Sequence, residues 1–180
     1  MGKGTQGGIM RRLVSFATII VLLGSCLAGR EATGQQQSLK ERLVGTWILV
    51  AWEQMGADGS KFQKYGPDPR GFHIFERSGR FFAMMARPDL PKIAASDPQN
   101  ATPDEARAIM AGSIAYYGTY TVNEPERMVI LRMEATTFPN QLGRDLPRRV
   151  VSVTANEMVY ANPSATTGGG QIMLSWKRAQ

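Results

Sequence analysis

From Gly45 onward the apolar positions of this chain fall in short runs separated by turn-forming residues, a pattern of strands rather than of long helices. Eight strands are predicted: Gly45–Glu53, Gly71–Glu76, Arg80–Arg87, Ala115–Val122, Met128–Ala135, Arg148–Thr154, Glu157–Ala161 and Gln171–Arg178. ERSGRF, VNEPERM and TANEM suit tight hairpins between them, and NPSATTGGGQ suits a looser connection. Alternation along the first strand puts Trp47, Leu49, Ala51 and Glu53 on one face and Ile48, Val50 and Trp52 on the other.

One stretch breaks this rhythm. A Pro-rich loop from Pro88 to Asn100 leads into ATPDEARAIMAGS, which predicts a helix over Pro103 to Ala111. Thr102 is the N-cap, Pro103 suits the first helical position, and Glu105 completes a capping box. Gly112 ends the helix, and Ala106, Ile109 and Met110 share the face expected to pack on the strands. Short strands with so little helix are best satisfied by an eight-stranded antiparallel barrel with one short inserted helix, because closure removes exposed edges. A β-sandwich is the competing architecture. An eight-stranded barrel is about wide enough inside to be filled by side chains or to hold one small ligand.

The N-terminus has a different character. MRRLVSFATIIVLLGSCLAG carries the paired Arg11 and Arg12, an apolar run from Leu13 to Leu23 and then small residues, which is the pattern of an export signal. That run is shorter than the roughly 20 residues of a membrane-spanning helix. The domains are therefore residues 1–34, signal and cleavage region, and residues 35–180, one barrel domain, with GREATGQQQSLKER as the polar approach to it. Cys26, the one cysteine of the chain, sits in LLGSC, which resembles the lipobox of bacterial lipoproteins; cleavage after Gly34 is the alternative. Either route places the product in the periplasm or cell envelope. The membrane is then involved only through the signal or a lipid anchor on Cys26.

Charge changes the picture little. Of 21 basic and 15 acidic groups, four and one fall in residues 1–34, which leaves 17 and 14 and a net charge of +3 on the domain. Apart from the pair Arg148–Arg149 the basic residues are scattered, without the basic stripe that nucleic-acid binding requires.

LVGTWILVAWE, YGPDPRGFHIFERSGRFFAMMARPDLP, IAYYGTYTVNEPERMVILRMEATTFPNQLG and LSWKR, in that order, resemble the bacterial and fungal lipocalin-like domain family over Leu39 to Arg178. The resemblance implies a lipocalin, or calycin, barrel and says much more about fold than about activity. It also implies that Trp47 lies inside near the closed end, with a basic residue of the last strand, Arg178, stacked across it as structural floor. Related sequences often carry a histidine in the strand MVILRMEA, where this chain has Leu131 and Arg132.

The candidate chemistry is sparse. His73 is the single histidine, has no partner for a metal site and no nucleophile beside it in sequence, and so reads as a surface or barrel-wall residue. Arg132 and Glu134 share a strand face; inward they would recognise a polar ligand group, outward they are solvated charges. Tyr116 and Tyr120 share a face, with Tyr117 opposite, and inward tyrosines offer a ring and a hydroxyl. The loop and helix between the third and fourth strands suit a lid, over a pocket lined by Phe82, Met84, Ile109, Tyr116 and Tyr120. Core packing explains the same residues equally well. No phosphate-binding glycine loop, zinc-protease motif or nucleophile elbow is present, and no catalytic residue, metal or cofactor is assigned. The leading expectation is a binding protein for a small, largely apolar molecule. The alternatives are a cyclase- or isomerase-type enzyme acting on a hydrophobic substrate and an envelope protein with a filled barrel that binds another protein.

Overall fold

Each of the eight predicted runs forms a strand in the computed structural model, which describes residues 1–2, 37–56, 58–162 and 171–180. The stretch read as an export signal, Cys26 included, lies outside the described residues. Helix α1 (Leu39–Leu43) leads into β1 (Gly45–Met55), β2 (Lys61–Phe62), β3 (Arg70–Phe75) and β4 (Arg80–Ala86). Helix α2 (Pro103–Gly112) follows, then β5 (Ser113–Asn123), β6 (Met128–Thr136), β7 (Asp145–Val153), β8 (Glu157–Asn162) and β9 (Ile172–Arg178). From β3 to β9 each strand pairs antiparallel with the next, β3 also pairs with β1, and β9 returns to β1. The result is a closed eight-stranded barrel, not a sandwich. The two-residue β2 is an addition, pairing Gln54 and Met55 at the end of β1.

Three features differ from the sequence reading. The stretch SLKER, read as linker, contains α1, built on a capping box. The Ser38 hydroxyl accepts from the Glu41 N–H (3.2 Å), and the Glu41 carboxylate accepts from the Ser38 N–H (2.9 Å). Strand β7 begins three residues earlier than expected, because Pro147, which reads as a strand breaker, is tolerated opposite Ile130. Finally, β1 is not a regular two-residue repeat. A bulge between Leu49 and Ala51 leaves Val50 unpaired on the outside, 47% exposed, and turns the inner face from Trp47 and Leu49 to Trp52. The expected grouping of Ala51 and Glu53 with Trp47 is therefore wrong beyond Val50.

The two ends of the barrel differ. The hairpins β3–β4, β5–β6 and β7–β8 are short and share an end with α1, whereas the connections from β1 to β3, β4 to β5 and β6 to β7 at the other end are longer. Helix α1 closes its end with the buried Leu39 and Leu43, and the Glu124 carboxylate accepts from the Leu39 and Lys40 N–H groups (2.8 and 3.0 Å). The Trp47 indole N–H donates to the Leu43 carbonyl (2.8 Å), and the Arg178 guanidinium lies 4.1 Å from the centre of the Trp47 ring. Arg178 also donates to the carbonyls of Val44 (2.8 Å), Arg42 (2.9 Å) and Ala155. Gly45 is held at φ +133°, a conformation that strains any other residue, and a Cβ there would push the same guanidinium aside. Above this floor Phe75, Phe81, Leu131, Met158 and Trp176 fill the interior.

Trp47→Ala is expected to cost about 3–5 kcal/mol, as for other buried large-to-small changes. Arg178→Ala should cost less. In urea unfolding the double variant should lose less than the sum of the two singles, whereas strict additivity would show that stacking contributes nothing.

Candidate ligand-binding site

The open end of the barrel holds two cavities. The inner one, about 460 Å³, is lined by Trp52, Lys64, Tyr65, Met85, Arg107, Met110, Ala111, Ser113, Ile114, Tyr116, Thr137, Phe138, Gln141, Arg148, Asn162 and Ile172. The outer one, about 790 Å³, lies against Trp52, Gln54, Phe62, Lys64, the Arg87–Pro91 loop and the α2 residues Ala108, Ala111 and Gly112. Trp52, Lys64, Ala111 and Ile172 border both. Volumes of this order suit a small organic molecule.

Local structure positions these walls. The β1 bulge aims Trp52 into the mouth, where Phe62 and Tyr65 pack edge-on against it at ring-centre distances of 6.3 and 5.9 Å. Helix α2 is capped as expected, with the Thr102 hydroxyl accepting from the Glu105 N–H (3.3 Å) and the Glu105 carboxylate from the Thr102 N–H (2.8 Å). The same carboxylate accepts from the Ala94 N–H (2.9 Å), which ties the Pro-rich loop to the helix. A second bulge, at Glu134 of β6, brings that strand so close to β5 that a Cβ on Gly118 would meet the Arg132 carbonyl oxygen; only glycine fits.

The sequence candidates divide sharply. Tyr116 is buried and lines the inner cavity. Tyr120 is buried too, but at the closed end, where its hydroxyl donates to the Glu76 carbonyl (2.8 Å); it lines neither cavity. Phe82 and Met84 are corrections: they face outward, with Phe82 stacked on Phe72, because the inner positions of β4 are Phe81, Ala83 and Met85. Arg132 and Glu134 are also outward and do not pair with each other. Arg132 pairs with Asp145 (3.1 Å) and Glu134 with Arg80 (2.7 Å), all at the surface. Ile109 is half-buried yet lines neither cavity, and Ala106 is exposed and lines neither; Met110, also exposed, borders the inner cavity, Ala108 the outer one and Ala111 both.

His73 is neither on the surface nor at the mouth. It is fully buried in the barrel, stacked 4.0 Å from the Phe75 ring, with Nδ1 3.2 Å from the Tyr160 hydroxyl. Its Nε2 has no hydrogen-bond partner among the described residues. Burial, reinforced by the charge of Arg148, pushes its pKa down to about 3, so the imidazole is neutral.

Arg148 is the residue that sequence reasoning missed. It was read as half of a basic pair, but two-residue alternation places it on the inner face with Val150, and it is only 8% exposed. Its Nη1 donates to the Pro147 carbonyl (2.8 Å) and to Asn162 Oδ1 (3.3 Å). Its charge also favours the ionised form of Tyr116, against the larger effect of burial, which raises that phenol's pKa. Among the described residues no carboxylate forms an ion pair with Arg148 or with Lys64, whose pKa burial lowers. Gln141 Oε1 is buried beside the same cavity without a partner among the described residues. No group of three or more potential metal ligands occurs among the described residues.

A closed antiparallel barrel, plugged at one end and hollow at the other, is the calyx architecture of lipocalin-like proteins. The chain belongs to the lipocalin-like domain family, which it matches over residues 44–179. No curated protein matches it. Among solved structures it is similar to a redesigned β-barrel (12% identity, 81% of this chain and 98% of that one, TM-score 0.41). A de novo designed fluorescence-activating β-barrel is similar at 11% identity (79% and 99%, TM-score 0.41). These likenesses are too distant to carry weight, and the architecture rests on the strand pairing itself.

His73, as the one histidine, gives an unambiguous ring signal in proton NMR. That signal should show no titration between about pH 5 and 8 in the folded protein. The unfolded chain protonates near 6.5 and the native one only near 3, so the stability contributed by the neutral ring is complete above 6.5 and is lost as pH falls toward 3. A titration step near 6.5 would mean that the ring is reached by water.

Proposed function

We propose that this chain is an exported lipocalin-like protein whose barrel binds a small, largely apolar molecule. The observation that carries the binding reading is the inner cavity, walled by Trp52, Tyr65, Met85, Ile114, Tyr116 and Ile172 and continuous in its lining with the outer one. Aromatic and aliphatic walls with a few polar groups are what a small-molecule site needs. The chain's histidine lines neither cavity, so binding and carriage fit the geometry better than acid–base chemistry.

The export reading rests on the sequence of residues 10–34. Protein recovered from its own host should begin at a modified Cys26 or near Gln35, as N-terminal sequencing or intact mass would show. An intact N-terminus on cytoplasmic protein would end that part of the proposal.

An apolar fluorescent dye should bind saturably. Ala111→Trp, which fills the helix face shared by both cavities, should weaken that binding about tenfold or more, while the outward Tyr117→Ala should not. Absence of dye binding to folded wild-type protein would leave a solid barrel and remove the carrier reading.

A further inference from the structure

The charge around the inner cavity is one-sided. Three basic side chains line it, Lys64, Arg107 and Arg148, and no acidic one does. Arg107 is fully at the surface and is paired with Asp104 (3.1 Å). Arg148 differs, being more than nine-tenths buried, with neutral oxygens as its hydrogen-bond acceptors. The loop of residues 163–170 that follows Asn162 reads PSATTGGG and adds no carboxylate. A buried guanidinium without a counter-charge is costly, and the cost falls when a ligand brings the anion.

Resting on the binding reading above, we infer that the ligand is an amphiphile with a carboxylate head, held by Arg148 and the Tyr116 hydroxyl, and an apolar body directed toward Trp52. The match is chemical. A guanidinium fork meets the two oxygens of a carboxylate side by side, and Tyr116, as a neutral phenol, has a proton to donate. Gln141 lies on the same wall, where its side-chain amide N–H2 is a further donor for the head group. A phosphate dianion has more acceptor oxygens than this one fork can satisfy in a mostly apolar chamber, so a monoanion fits better. The body then has the aromatic cluster of Trp52, Phe62 and Tyr65 in its path to the outer cavity.

The test compares three ligands with the same chain and different heads, dodecanoate, dodecanol and dodecyltrimethylammonium, by calorimetry at neutral pH. Dodecanoate should bind at least about tenfold more tightly than dodecanol, and the cation most weakly. Arg148→Gln should remove most of the carboxylate's advantage and leave dodecanol unchanged. Arg149→Gln, the exposed neighbour on the other strand face, should alter neither. Equal binding of dodecanoate and dodecanol by wild-type protein would overturn the inference and leave the apolar pocket standing, and this comparison decides even if Arg148→Gln does not fold. A carboxylate preference that survives in folded Arg148→Gln would also overturn it, by placing the head elsewhere. If neither these ligands nor the apolar dye binds, the pocket reading falls and the inference falls with it.

Discussion

The barrel depends on how its closed end is tied, and Arg178 is the knot. This one side chain stacks on Trp47 and donates to carbonyls of α1, of the link into β1 and of the β7–β8 turn. It therefore joins the first and last parts of the domain at the seam where β9 pairs with β1, with Trp47 and Arg178 as register partners. A closed sheet has no free edge to absorb error, so its register must be set somewhere. Gly45 shows how tight the setting is, since a single added carbon would displace the guanidinium. The contribution of stacking alone is only about 0.5–2 kcal/mol. Its importance lies in the number of elements that meet at one residue.

Plugging one end frees the other. Trp47, Phe75, Phe81, Met158, Trp176 and the neutral His73 fill the lower interior, which leaves the longer loops and α2 to surround the hollow half. The bulge at Val50 links the two regimes. Below it β1 sends Trp47 into the floor, and above it the same strand sends Trp52 into the mouth. Without the extra residue strict alternation would point Trp52 at solvent and Ala51 inward, and the cavity would lose its main aromatic wall.

What the sequence shows and what it hides follow from this division. Strand positions, the capping box of α2, the closed barrel and the facing pair Trp47 and Arg178 rest on alternation, turn chemistry and the family motifs, which are local or ordered along the chain. The walls of the site depend on bulges and on which strand face turns inward, and neither is local. One period error moves every side chain beyond it to the opposite face, as happened with Trp52. β4 is apolar on both faces, so alternation alone cannot choose between Phe82 with Met84 and Phe81 with Ala83 and Met85, and it is the second set that faces inward. Arg148 was passed over because a charged residue in an RR pair reads as surface, although its spacing from Val150 already put it inside.

Arg148 also acts on two neighbouring groups of the interior, where burial has the larger effect. Its charge opposes protonation of His73 and acts against the burial that raises the Tyr116 pKa, so one group biases the chemistry of two others. A neutral histidine beneath a permanent cation cannot serve as its counter-ion, and a phenol kept protonated by burial cannot either. The barrel thus presents a buried positive charge, without an ion-pair partner among the described residues, at the wall of a chamber whose lining is mostly apolar. On the proposed reading, such a charge would select among ligands by their heads, and the aromatic mouth would receive the apolar body. Specificity and capacity are then set by different parts of the same wall.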